Sequence, residues 1–155
     1  MIDELLSAGV AFIVVGGAAA VLHGCSVSTR DLDIVPALDE ENLARLLSLL
    51  TRLDAWYREP GPRVLRPSAA HLRPGGQVRL TTRLGPLDIL GRLHDGDGFA
   101  ELLPHSIEVG EPLRFRIVDL PRLIAIKVGT GRPRDRFVAA LLVDLLRQRD
   151  LEPER

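Results

Sequence analysis

Hydrophobic and polar positions follow two different periods along the chain, and the switches between them mark its elements. Residues 2–8 carry apolar side chains at helical spacing and stop before Gly9, predicting a short amphipathic helix. Residues 10–15 are an unbroken apolar, β-rich run, the pattern of a buried strand, and the run stops at Gly16-Gly17. The stretch Ala18-Ala19-Ala20-Val21-Leu22-His23 has high helix propensity and ends at Gly24. From 29 to 35 polar and apolar residues alternate, predicting a half-buried strand closed by Pro36. Over 39–53, Leu43, Leu46, Leu47 and Leu50 return to helical spacing behind Asp39, Glu40 and Glu41, acids suited to a helix N-terminus.

The centre, 55–92, is rich in Pro, Gly and Arg. Short alternating runs near 63–66, 69–73, 77–82 and 84–90 predict an antiparallel meander with tight turns such as Pro74-Gly75-Gly76. A short helix is expected over 96–103 and a strand over 113–118. Two helices are expected at the end, over 119–128 and 133–148, divided by Gly129-Thr130-Gly131-Arg132-Pro133. Helices and strands alternate early and strands dominate the centre, which predicts a mixed α/β (α+β) fold in a single domain spanning 1–155.

Composition narrows the class. At 155 residues and 46% hydrophobic, one domain of this size buries roughly 70% of its unfolded-chain surface. A single cysteine excludes a disulfide framework and a thiolate metal cage. The acidic opening MIDELL lacks the basic start of a signal peptide, and no apolar run reaches the ~20 residues of a membrane span. The expectation is a soluble, cytoplasmic protein with no membrane partner.

The formal net charge of −1 hides alternating blocks. Residues 1–51 sum to −5, 52–92 to +5, 93–111 to −5, 112–136 to +5 and the remainder to −1. The blocks are either solvated surface charge or basic segments facing a polyanion beside an acidic segment that holds cations. Nineteen of the twenty basic residues are arginine; Lys127 is the one lysine.

The chemistry concentrates at Asp31-Leu32-Asp33-Ile34. On a strand the two carboxylates share a face while Leu32 and Ile34 point to the core. Adjacent like charges repel unless a cation sits between them, and Mg²⁺ takes one or two carboxylates plus substrate phosphates. Asp88, within Leu87-Asp88-Ile89-Leu90, is a third apolar-flanked acid. If its strand lies beside that of Asp31 and Asp33, three carboxylates meet as a ligand set for two metal ions. Gly16-Gly17, between a strand and a helix, lets an anion approach the backbone, or serves close helix–strand packing.

The ordered set, an apolar strand, Gly16-Gly17, thirteen intervening residues, Asp31-Leu32-Asp33 and a later Asp88, resembles the nucleotidyltransferase superfamily. The phrase from Phe12 to Gly24, followed by Thr29-Arg30-Asp31-Leu32-Asp33-Ile34, is similar to the small bacterial minimal nucleotidyltransferases, including AbiEii-type toxin relatives. The segment Leu123-Ile124-Ala125-Ile126-Lys127, with the basic loop after it, is similar to the same proteins.

The resemblance implies a nucleotidyltransferase fold, a mixed β-sheet flanked by helices. It implies an enzyme that moves a nucleoside monophosphate from a nucleoside triphosphate to an acceptor hydroxyl. Asp31, Asp33 and Asp88 would be catalytic and hold two Mg²⁺ ions. Gly16, Gly17 and Lys127 would bind the triphosphate, with Ser28 and Thr29 standing in for the hydroxyl residue that Ala18 replaces. Val27 and Val138 stand where relatives carry an arginine and a second acid, and Asp135 is expected to pair with Arg132 or Arg134. The acceptor is RNA or protein in a toxin–antitoxin setting, with a homodimer or an antitoxin as partner. The alternatives are a catalytically degenerate binding or antitoxin-like protein and an aminoglycoside-type transferase.

Other features keep two readings. His23 caps a helix end or takes part in catalysis. Trp56-Tyr57, expected at the end of the third helix, packs or stacks a base. Arg63, Arg66, Arg73, Arg79 and Arg83 are solvated or line an acceptor groove. The His94-Asp95-Gly96-Asp97-Gly98 run is expected to be turn chemistry rather than a metal loop, and Cys25 a packed side chain.

Overall fold

The apolar runs of the first 53 residues form the expected elements, although the strand expected over 29–35 starts at Leu32 and includes Pro36. The computed structural model describes residues 1–58 and 64–151. Helix α1 (Ile2–Ser7) precedes strand β1 (Phe12–Val15), which is buried along its whole length. Helix α2 (Gly16–Leu22) follows without a linker, and strand β2 (Leu32–Pro36) runs back beside β1. Helix α3 (Glu40–Arg52) starts on Asp39, whose side chain accepts from the Asn42 N–H at 3.0 Å. That bond satisfies one of the donors a helix N-terminus leaves open. The α3 stripe Leu43, Leu46, Leu49 and Leu50 is buried.

The centre departs from the expected meander in part. Trp56–Tyr57 is a short strand, β3, not a helix end, because Asp54 turns the chain at a φ of 53°. Of the run at 63–66, residue 63 lies outside the described residues and 64–66 form no regular element. The run at 69–73 is helix α4 (Ala69–Leu72) rather than a strand. It has two alanines, no β-branched residue and one buried side chain, Leu72, so a helical turn suits it better than a ladder. Strands β4 (Gln77–Thr82) and β5 (Gly85–Leu90) form the expected hairpin.

Helix α5 (Phe99–Leu102) and a 3₁₀ turn (Leu103–His105) lead into β6 (Ser106–Val109), a strand the pattern does not reveal. Its side chains are all at least partly exposed, so it carries no apolar alternation to read. Strand β7 (Phe115–Val118), helix α6 (Leu120–Gly129) and helix α7 (Pro133–Leu151) complete the order.

The seven strands form one mixed sheet in the order β3-β4-β5-β2-β1-β7-β6. β1 is parallel to β7 and antiparallel to β2, and β2 is parallel to β5. The parallel β2–β5 pair sets Leu32 against Leu87, Asp33 against Asp88 and Ile34 against Ile89. Side chains at one register position of a parallel pair leave the same face. The two acids are therefore neighbours, and the flanking aliphatics pack on the other side.

Candidate active site

Ile34, Leu87 and Ile89 are each no more than 1% exposed, and their burial sets the register that sends Asp33 and Asp88 the opposite way. Asp31 lies one residue before β2 begins, so it is held by a bend rather than by the ladder. All three carboxylates line one cleft of about 530 Å³. Gly17, Ser28, Thr29 and Lys127 line it too. Of the residues expected to act together, only Gly16 stands behind the cleft wall. It adopts a φ of +66°, and a Cβ there would collide with Asp33 Oδ2. Glycine at this position is required by both the turn and the carboxylate. At Gly17 a Cβ would come within 2.8 Å of Thr29 Oγ1.

The electrostatics of the floor are strained. Burial, followed by the charges of Asp88 and Asp31, pushes the Asp33 pKa up to about 6, with Lys127 and Arg58 opposing the rise. Asp88, 3% exposed, is also raised, chiefly by burial and against the pull of Arg58. Arg58 is the residue that sequence reasoning misses. Its Nη1 donates to Asp31 Oδ2 at 3.1 Å and its Nη2 to Asp88 Oδ1 at 2.7 Å. Arg79 Nε lies 3.7 Å from the other Asp88 oxygen. Only the arginine-rich block 52–92 hints at such a partner.

Lys127 lines the cleft from α6, yet its Nζ donates to Asp135 Oδ1 at 2.7 Å. Thr130 Oγ1 donates to Asp135 Oδ2, also at 2.7 Å. Asp135 therefore pairs with Lys127 and Thr130, not with Arg132 or Arg134 as expected. Burial would raise its carboxyl, but the two hydrogen bonds together with the charges of Lys127 and Arg132 hold the pKa below the ordinary value. Arg132 and Arg134 line the cleft, with Arg134 donating to Ser28 O at 3.4 Å. Phe137, 65% exposed, is an aromatic at the cleft that the sequence pattern does not single out.

Several open features resolve elsewhere. His23 is 4% exposed and does not line the cleft; its Nε2 donates to Val118 O at 2.8 Å, fastening the end of α2 to β7. Cys25 is buried, and burial pushes its thiol pKa up. In the 94–98 run the Asp97 N–H donates to Asp95 Oδ1 at 3.2 Å, and Arg122 bridges both acids at 2.6 Å each, so turn chemistry prevails. Arg66, Arg73 and Arg83 pair with Asp54, Glu40 and Glu4 instead of lining one groove, and residue 63 lies outside the described residues.

Among the described residues no three His, Cys, Asp or Glu side chains stand gathered as a metal cage. Three carboxylates on one cleft, two of them with raised pKa values, are nevertheless the donor chemistry of a hard divalent cation. The cation that presently bridges two of them is the Arg58 guanidinium.

No family model and no curated protein matches the chain. Among solved structures it is similar to the crystal structure of a "putative nucleotidyltransferase" from Thermotoga maritima, with a TM-score of 0.56 and 19% identity. The match covers 95% of this chain and 88% of that one. The two chains share a fold, the mixed sheet flanked by helices that the sequence resemblance implied.

Proposed function

We propose that the chain is a Mg²⁺-dependent nucleotidyltransferase. The reaction is attack of an acceptor hydroxyl on the α-phosphorus of a nucleoside triphosphate, forming a new P–O bond as pyrophosphate leaves. The observation that carries the proposal is the in-register pairing of Asp33 with Asp88 in a cleft shared with Asp31 and Lys127. Two Mg²⁺ ions held by Asp31, Asp33 and Asp88 would supply charge neutralisation and a clamp on the entering and leaving oxygens.

The chain's own residues do the rest. Lys127, Arg132 and Arg134 bring positive charge to the triphosphate, and Gly17 lets a phosphate approach the backbone without meeting a Cβ. Ser28 and Thr29 offer hydroxyls on the same wall. Asp88, the third carboxylate of the cleft, would accept the proton leaving the acceptor hydroxyl. A cleft of about 530 Å³ suits a nucleotide. Arg79, Arg132 and Arg134 favour a polyanionic or acidic macromolecule as acceptor, RNA or protein, as in a toxin–antitoxin pair.

A second possibility rests on a different observation. Arg58 across Asp31 and Asp88, and Lys127 on Asp135, satisfy the charges internally, as they would in a degenerate, antitoxin-like binding protein. Incubation with each α-labelled nucleoside triphosphate, Mg²⁺ and cell extract distinguishes the two. The transferase labels an acceptor, and Asp33→Ala abolishes the label. No labelled product together with no Mg²⁺-dependent nucleotide binding overturns the transferase and supports the binding protein, whose carboxylates are already neutralised without a metal ion.

A further inference from the structure

Arg58 has no role in the proposed transfer, yet it bonds two of the carboxylates that line the cleft. Arg58 follows β3 at the sheet edge, where its N–H donates to Arg79 O at 2.9 Å. Its side chain reaches β4, and Nη2 donates to Leu80 O at 2.9 Å. From there the fork reaches Asp31 with one nitrogen and Asp88 with the other, at 3.1 and 2.7 Å. The Asp88 side chain is 5% exposed and that of Arg58 26%, so little water screens the pair. The third nitrogen, Nε, is buried without a partner. The guanidinium is thus held by two carboxylates and one carbonyl, with one nitrogen left over.

We infer that Arg58 is a resident counter-cation: its fork and a divalent metal ion compete for the carboxylates of Asp31 and Asp88, and metal entry requires the fork to swing out. This rests on the proposed metal-dependent transfer. A hard divalent ion binds carboxylate oxygens at about 2.1 Å, and the fork already occupies one oxygen of each acid, Asp31 Oδ2 and Asp88 Oδ1. Two cations brought to the same oxygens repel each other. Without any cation the three acids repel one another, so the fork keeps the set assembled until a metal ion replaces it. The departure is mechanically simple. β3 has two residues and, among the described strands, pairs with β4 alone, and the side chain can leave without breaking a ladder bond. The unpartnered Nε gains a solvent partner when it does.

The test uses the full chain and Mn²⁺ alone, with free ion counted by electron paramagnetic resonance and melting followed with and without metal. Arg58→Gln should bind Mn²⁺ about ten-fold tighter than wild type, the scale of an ordinary coupling between two competing ligands. It should also melt lower without metal and gain more on adding it. Arg58→Lys, whose single ammonium cannot span both carboxylates, should fall between the two. If wild type binds Mn²⁺ and Arg58→Gln binds no tighter, the competition is overturned while the metal site stands. If none of the three binds Mn²⁺, the metal site falls and the competition with it. Should Arg58→Gln not fold, Arg58→Lys binding no tighter than wild type overturns the competition by itself.

Discussion

Asp33 sits where burial and two neighbouring carboxylates all oppose its charge, and its pKa rises to about 6. An aspartate in the unfolded chain titrates near 3.9, so between roughly pH 4 and 6 the folded state holds a proton that the unfolded state has lost. The stability linked to that proton is present below about pH 4 and is lost as pH rises through about 6. Asp33→Asn removes the charge and keeps the shape. In urea denaturation it should be more stable than wild type at about pH 7–8 by on the order of 1–2 kcal/mol, with the gap closing towards pH 4. A variant no more stable than wild type at pH 8 would show that the carboxylate is comfortable where it is. Gly16 belongs to the same account, because only a residue without Cβ leaves Asp33 its place.

Between elements, the position of β2 depends on one polar side chain. Asn42, 2% exposed on α3, accepts from Ala11 N–H at 2.7 Å. It donates to Ala11 O at 2.9 Å and to Ala37 O at 2.7 Å. Ala11 precedes β1 and Ala37 follows β2, so the amide ties the end of the strand pair remote from Asp33. Asn42→Leu leaves Ala11 N–H and Ala37 O without this partner, and should lower stability by about 3 kcal/mol in chemical denaturation. A loss under about 1 kcal/mol would mean that water replaces the amide. In the cleft, the Lys127–Asp135 pair links α6 to α7, with side chains 14% and 13% exposed. Lys127 must exchange this partner for a phosphate if it is to serve a nucleotide, and that exchange was invisible in an apolar stretch holding one lysine.

Across the whole molecule the alternating charge blocks neutralise one another. Arginines of the 52–92 block reach acids of the first block through Arg58–Asp31, Arg73–Glu40 and Arg83–Glu4. The 112–136 block likewise meets the 93–111 block through Arg122–Asp95, Arg122–Asp97 and Arg116–Glu108. Arg58 bridges two carboxylates with two nitrogens of its planar fork, which a lysine cannot copy, whereas Arg122 reaches both of its acids from Nη2 alone. Exposure separates these pairs energetically. Arg122, 17% exposed, should cost about 2 kcal/mol when changed to Ala, whereas Arg114→Ala, 67% exposed, should stay within about 0.5 kcal/mol. Equal losses in thermal melts would deny that burial sets the difference.

What the sequence determined by itself is local or periodic. The helical period marked α1 and α3, alternation β4 and β5, an unbroken apolar run β1, and helix propensity α2, since each of these is written in neighbouring residues. Alternation alone sent Asp33 to the face opposite Ile34, whereas Asp31 reaches the same cleft from a bend ahead of the strand. Elements with little buried surface, α4 and β6, left no such pattern and were misread or missed. The placement of Asp88 opposite Asp33, the Arg58 fork and the choice of Asp135 as the partner of Lys127 were decided only by the tertiary structure. Each depends on which strands and helices become neighbours, and that follows from how the whole sheet buries its apolar faces, not from spacing along the chain.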